Sequence, residues 1–204
     1  MFPSYHLYLQ IYHHRKSSLS TRTPNSPRHS LRRIPLRHPP RAGLLHQHNN
    51  SHLAIAKVIS LSPPVVVGLA KWVFVLENST LPGLFPSDMD LPREVMDHMT
   101  DPDLGMAFFS DQHARHQKYM GSKAHWYLAL IATRPEYKGS GVGRLLMEWG
   151  VMMVDEGSHE AYLEASPAGK PLFEKYGFHV EKVAEYLEGR YVECSMIRDA
   201  MKTE

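Results

Sequence analysis

The sequence predicts a mixed α/β fold built around one central sheet. Three observations carry the prediction. From His52 onward β-rich runs alternate with helical stripes in the order β, β, insert, β, α, β, α, β, β. One strand is apolar on both faces, which marks a buried central position. A helix lies between that strand and the next, as a crossover between neighbouring strands requires.

The elements follow from residue spacing. His52–Leu61 and Val65–Leu76 are β-rich runs separated by Ser62-Pro63-Pro64, a turn sequence. A polar, proline-punctuated helical insert spans 77–122, with helical spacing over Leu91–Met99 and Met106–Met120. His125–Thr133 alternates Trp126, Leu128 and Leu130 with Tyr127, Ala129 and Ile131, so it reads as the central strand. Pro135 ends it. Gly141–Asp155 forms a helix whose stripe is Val142, Leu145, Leu146, Trp149, Met152 and Met153, stopped by Gly157. Glu160–Ser166 is a strand, Ala168–Tyr176 a short helix closed by Gly177, and His179–Tyr186 and Tyr191–Asp199 the last two strands.

Charge divides the chain unevenly. Residues 1–76 hold ten Lys or Arg and no acid, whereas 77–204 hold 13 basic and 21 acidic residues. Residues 1–50 carry six prolines, seven histidines and no sustained apolar period, so they read as a disordered basic leader preceding a single domain, 51–204. Three readings of the leader stay open: a mitochondrial-type transit segment, a nucleic-acid-binding arm, or non-native sequence from a misplaced gene start. No apolar run reaches the length of a membrane span, and the lone Cys194 excludes an intramolecular disulfide, which fits a reducing, cytoplasmic setting, or a mitochondrial one if the leader is a transit segment.

The segment Arg134–Arg144 contains Gly139, Gly141 and Gly143 between a strand and a helix. Glycines allow close backbone approach, and the unpaired N–H groups that open a helix favour an anion. Lys138 and Arg144 add positive charge. A phosphate or pyrophosphate is the natural guest, and a glycine-rich turn without a ligand is the plain alternative. The spacing fits neither the dinucleotide fingerprint G-x-G-x-x-G nor the P-loop.

Lys138-x-x-Gly141-x-Gly143 resembles the Q/R-x-x-G-x-G/A signature of the GNAT N-acetyltransferases, with Lys in place of the usual Gln or Arg. Thr133-Arg134-Pro135 resembles the family's V-x-P, and Leu172–Phe178 resembles its second signature, L-Y-x-K-x-G-F. Tyr162–Pro167 is similar to the form common in fungal members. The resemblance covers about 52–199. It implies the acyl-CoA N-acyltransferase fold, with a V-shaped splay in a mixed sheet. It also implies direct acetyl transfer from acetyl-CoA, as co-substrate, to a primary amine. By position it assigns the pantetheine arm to the backbone of Ile131, Ala132 and Thr133, and the pyrophosphate to Lys138, Gly139, Ser140, Gly141, Val142, Gly143 and Arg144. Ser166 stands where many members carry an Asn facing the arm. Phe173 stands where many carry a Tyr that protonates the leaving thiolate; Tyr176, one helical turn on, is the other candidate acid. The family's first strand and two helices are either missing or replaced by the leader. A weak or inactive CoA-binding relative is therefore the alternative function, and a nucleic-acid-binding protein a more distant one.

Glu164, near the end of its strand, is a candidate general base, against the plainer reading of a surface-paired carboxylate. His125 is a second candidate. His113 and His116 read as solvated, with no third ligand for a metal. Cys194 and the methionines read as packing residues. No partner besides acetyl-CoA and an amine acceptor is implied, and no membrane.

Overall fold

A computed structural model describes residues 7–14, 50–58, 63–79 and 101–201. Strands are β1 (Leu7–His14), β2 (Asn50–Val58), β3 (Val65–Val75), β4 (His125–Thr133), β5 (Glu160–Ala165), β6 (His179–Tyr186) and β7 (Tyr191–Arg198). Helices are α1 (Pro102–Met120), α2 (Val142–Gly157) and α3 (Lys170–Glu174), with a single 3-10 turn at Pro135–Tyr137. The contacts divide the chain into two compact units, Met1–Val73 with Leu128–Ser158 and Phe74–Tyr127 with His159–Glu204.

In the first unit the strand order is β1-β2-β3-β4. β1 pairs antiparallel with β2 from Leu7↔Val58 to His14↔Ser51. This strand falls inside the segment that the sequence assigns to a disordered leader. Leu7, Leu9 and Ile11 alternate with Tyr8, Gln10 and Tyr12. Three apolar positions are too few to stand out from Arg, His and Pro surroundings, and the hydrogen-bonding partner that makes them a strand is more than thirty-five residues away in sequence. The rest of the leader, and the expected helix over Leu91–Met99, lie outside the described residues.

α2 packs its apolar face on this unit. Val142, Leu146, Trp149 and Met153 are buried at helical spacing, with Met147, Gly150 and Val154 beside them. Leu145 and Met152, expected in the stripe, lie at its half-buried margin, because the buried arc is centred a residue or two further round. The close contact is between Gly150 and Trp72: a Cβ on Gly150 would stand 2.1 Å from the indole Cε2. Gly68 of β3 is equally crowded, 2.6 Å from Val142 Cγ1 and 2.9 Å from the Ala132 carbonyl oxygen. The Arg134 N–H donates to the Val67 carbonyl at 2.8 Å. Backbone contact between β3, the end of β4 and the start of α2 therefore fixes both ends of the glycine-rich loop.

In the second unit the order is β4-β5-β7-β6. β4 and β5 pair in parallel through His125↔Glu160, Trp126↔Ala161 and Tyr127↔Tyr162. β5 and β7 are antiparallel, with Glu164 opposite Ser195, and β6 joins β7 antiparallel with an irregularity between Val180 and Lys182. α1 starts at Asp101, whose side chain accepts from the Leu104 N–H at 3.0 Å. It extends the expected insert helix to Pro102, a residue favoured at the first helical position. α3 is shorter than the sequence suggests: Lys175–Gly177 form a turn, and Gly177 takes φ +82°.

A single substitution tests the packing of the first unit. Gly150→Ala is expected to lower unfolding free energy by about 1–3 kcal/mol, since the indole of the fully buried Trp72 must move. Denaturant titration measures it, and a stability loss below half a kcal/mol would show that the helix and Trp72 are not in contact.

Candidate functional site

The first unit presents the glycine-rich loop. Gly139 and Gly141 have φ +81° and +89°, values that side chains disfavour. A Cβ at either position would meet no protein atom within 4 Å, so the loop is open on that side. Gly141 caps α2 without a side-chain hydrogen bond. The N–H groups of Val142, Gly143 and Arg144 therefore precede any intrahelical carbonyl they could bond. Ser140 turns inward instead, its hydroxyl donating to the Tyr137 carbonyl at 2.5 Å. Lys138 is exposed. Arg144 is exposed and lies 3.6 Å from Glu148, a surface pair of little energetic weight. Open space, first-turn donors and two cationic side chains suit a diphosphate.

β4 departs from the expected two-faced burial. His125 to Leu128 are buried, but Leu130 is 50% exposed and Ala132 is also exposed, with Ile131 and Thr133 half-buried. The apolar pattern does not require protein on both faces at this end of the strand; it leaves open apolar surface beside the loop.

The second unit holds a buried polar cluster. α1 turns Gln112, Arg115, His116 and Met120 inward. Arg115 donates through Nε to Ser195 Oγ at 3.0 Å and through a terminal nitrogen to Glu193 at 2.6 Å. Its other terminal nitrogen meets Asp111 and the Tyr186 hydroxyl. Gln112 donates to the remaining Glu193 oxygen at 2.8 Å. The Tyr186 hydroxyl also bonds Asp111, and burial pushes that phenol up to about 12.

Glu164 is drawn into the same interior. Glu164 is half-buried; the Tyr127 hydroxyl donates to its Oε2 at 3.0 Å, and the Tyr162 phenol lies beside the same carboxyl. Burial pushes the Glu164 carboxyl up to about 7. The like charge of Glu193 adds to this, and the phenols of Tyr162 and Tyr127 and the Arg115 charge oppose it. Its hydrogen-bond partner is the buried Tyr127 phenol rather than a surface cation.

His116 is buried, contrary to the solvated reading. Its ring stacks on Tyr162 at 4.5 Å, and its Nε2 lies 2.7 Å from His125 Nε2. Tautomers follow from the partners. His125 Nδ1 is 2.7 Å from the Lys123 carbonyl, which can only accept, so Nδ1 carries the proton. Neutral His125 then accepts at Nε2, and His116 donates from Nε2. Burial pushes both imidazoles below their ordinary value, His116 to about 2. The lone pair that would make His125 a base is engaged, so His125 leaves the list of candidates. Nothing in the residue order signals this pair, since a His on a helix and a His at a strand start meet only through tertiary structure.

The remaining assigned residues are placed as follows. Ser166 is exposed and accepts from the Gly169 N–H at 3.3 Å. Phe173 is buried, edge-on to Phe178 at 6.3 Å. Tyr176 is half-buried, in the turn after α3, and its carbonyl accepts from Arg198 Nε at 2.8 Å. Cys194 is buried. Among the described residues no group of three His, Cys, Asp or Glu could hold a metal, and no helix is long and apolar enough to cross a membrane.

Glu164 gives a pH test. Its folded value near 7 exceeds the ordinary 4.5, so the fold favours the protonated acid. The stabilisation is full below pH 4.5 and is lost as pH rises through 7, a loss of about 2–3 kcal/mol. Glu164→Gln is expected to flatten stability across this window; an unchanged slope in urea titrations from pH 4.5 to 7.5 would show that Glu164 is solvated.

Comparison with known proteins adds the following. Residues 103–180 match the acetyltransferase (GNAT) domain. A histone acetyltransferase HPA2 and related acetyltransferase from Corynebacterium glutamicum is 20% identical, with TM-score 0.46, covering 75% of this chain and 66% of that one. The NatC complex bound to Gag peptide and CoA is 15% identical, with TM-score 0.47, covering 73% and 71%. NAA60 of Arabidopsis thaliana in complex with acetyl-CoA is 12% identical, with TM-score 0.43, covering 74% and 76%. The chain thus spans just under two thirds of the first of these. The segment 103–180, from α1 to the start of β6, is thus a match to the acetyltransferase (GNAT) domain, within a mixed α/β fold.

Proposed function

We propose that this chain is an acetyl-CoA-dependent N-acetyltransferase that acetylates a primary amine by direct attack. The observation that carries the reading is the Lys138–Arg144 loop: it is open above Gly139 and Gly141, lies at the head of α2, and falls within the matched segment. Its backbone donors, with Lys138 and Arg144, take the diphosphate of the co-substrate. The backbone of Ile131, Ala132 and Thr133, beside exposed Leu130, suits an amide-bearing apolar arm. Acetyl-CoA supplies the activated acyl group. Main-chain N–H groups at this end of β4 are the donors assigned to the thioester oxygen. The NatC complex and NAA60, solved with CoA and acetyl-CoA, are in keeping with that co-substrate.

Glu164 is the base in this reading. A carboxyl near 7 is deprotonated often enough at neutral pH to accept a proton from the attacking nitrogen, and basic enough to hold it. Tyr127 orients it through Oε2. Phe173 has no proton to give, and the CoA thiolate is protonated from water. Tyr176 carries no acid role.

Isothermal calorimetry with acetyl-CoA tests binding, and release of free thiol over an amine panel tests transfer. Gly141→Val is expected to abolish acetyl-CoA binding while the fold survives, because the added side chain points into open space and adds backbone strain of only about 1–3 kcal/mol. Parent-like affinity in this variant would reduce the loop to a turn and defeat the reading. The rate kcat/KM is expected to rise with pH through an apparent value near 7 and to lose that step in Glu164→Gln.

A further inference from the structure

The second unit contains a cavity of about 460 Å³ between the first half of α1 and the β6–β7 hairpin. Its walls are aromatic: Phe108, Phe109, Tyr186 and Tyr191, with Leu187 at the rim. Phe108 meets Tyr186 edge-on at 4.9 Å and Tyr191 at 5.8 Å, so the rings brace one another into a box rather than filling it. The volume is in the range that holds an organic molecule of one or two rings.

Two features shape the cavity. The hairpin turn holds Leu187 and Glu188 in the left-handed region, φ +53° and +58°, as a tight turn closed by the Gly189 N–H on the Tyr186 carbonyl requires. It carries Leu187, an apolar side chain 43% exposed, into the cavity lining. The second feature is charge. Asp101 lines the cavity, and it and Asp103 already compensate the positive end of α1, which removes the usual attraction of a helix start for anions. Behind the wall, Tyr186 rests on Asp111, and Arg115 is outnumbered by Asp111 and Glu193; at the rim Arg190 donates from Nε to the Leu187 carbonyl and has Glu188 two residues before it.

We infer that this cavity binds an ammonium ion carrying an aromatic ring. The ring fits among Phe108, Phe109 and Tyr191, and the cation lies toward Asp101, where an electron-rich aromatic surround and a carboxylate both favour positive charge. An aromatic acid is repelled, and a neutral aromatic keeps only the stacking part. The inference stands apart from the acetyltransferase reading.

The test uses the full chain and phenethylamine, with phenethyl alcohol and 3-phenylpropionate as neutral and anionic counterparts and butylamine as a ringless amine. Binding is followed by calorimetry or by aromatic NMR shifts, without acetyl-CoA. Phenethylamine is expected to bind about tenfold more tightly than each of the other three. Asp101→Asn keeps a helix-capping side chain and removes the charge, so it should reduce the preference for the amine over the alcohol about 3–10-fold without unfolding. Phe108→Leu should weaken all ring-bearing probes. Equal affinity for amine and alcohol, or an amine preference untouched in Asp101→Asn, overturns the inference. Free-thiol release is a separate readout. Binding of phenethylamine keeps the cavity assignment whether or not thiol is released, whereas thiol release with butylamine and no binding of phenethylamine defeats the cavity assignment and leaves the transferase reading standing.

Discussion

The second unit depends on one buried charge and its partners. Arg115 and Glu193 are 7% and 4% exposed, and each would be costly in the interior alone. The guanidinium is answered by Glu193, Asp111, Ser195 and the Tyr186 hydroxyl, and Glu193 by Arg115 and Gln112. A pair so enclosed adds little net stability over an apolar equivalent, but losing one partner costs about 3–5 kcal/mol. Its effect is therefore geometric. It sets the position of α1 against β7, and through Tyr186 it reaches β6. The face of α1 toward β7 is polar because the partner strand offers a carboxylate and a hydroxyl, Glu193 and Ser195, in alternate positions.

Two consequences follow from that placement. α1 delivers His116 onto Tyr162, and Tyr162 and Tyr127 flank Glu164. The aromatic packing dries the carboxyl, and drying, more than any single neighbour, raises its affinity for a proton. Two turns nearer its start, on the face that carries Gln112 and Arg115, the same helix sets Phe108 against the β6–β7 hairpin and opens the cavity between them. The Glu164 carboxyl and the aromatic cavity thus share one supporting helix, so a change at Arg115 is felt at both.

Legibility in the sequence followed the range of the interaction that made each feature. β4, β6 and α2 are legible because alternation and helical spacing are local patterns that need no distant partner to be seen. The glycine loop was legible because three glycines between a strand and a helix state a backbone requirement directly. β1 was missed: its alternation spans only Leu7–Ile11, and its partner is β2. The insert helix was found but not its role, since Gln112, Arg115 and His116 look like a solvent face until Glu193, Ser195 and His125 are placed beside them. Glu164 was legible as a candidate only. Its burial comes from Tyr127 and Tyr162, one of them thirty-seven residues away.

The position of Phe173 bears on how much chemistry the proposed site must supply. Its ring is buried against Phe178, and a Cβ on Gly169 would stand 2.9 Å from its Cε2. A tyrosine there would carry its hydroxyl out beyond that packing, but the native ring offers no proton to any ligand. Tyr176 is not a substitute by virtue of its helix, because α3 ends at Glu174 and the residue belongs to a turn anchored at its carbonyl by Arg198. Expulsion of a thiolate near neutrality needs little help, since a thiol in the ordinary range of about 8–9 is already a competent leaving group. Removing the proton from an attacking ammonium is harder, as an ordinary alkylamine is largely protonated at pH 7. The economy of this site, on the proposed reading, is to place its one perturbed carboxyl at the harder proton transfer and to leave the easier one to water.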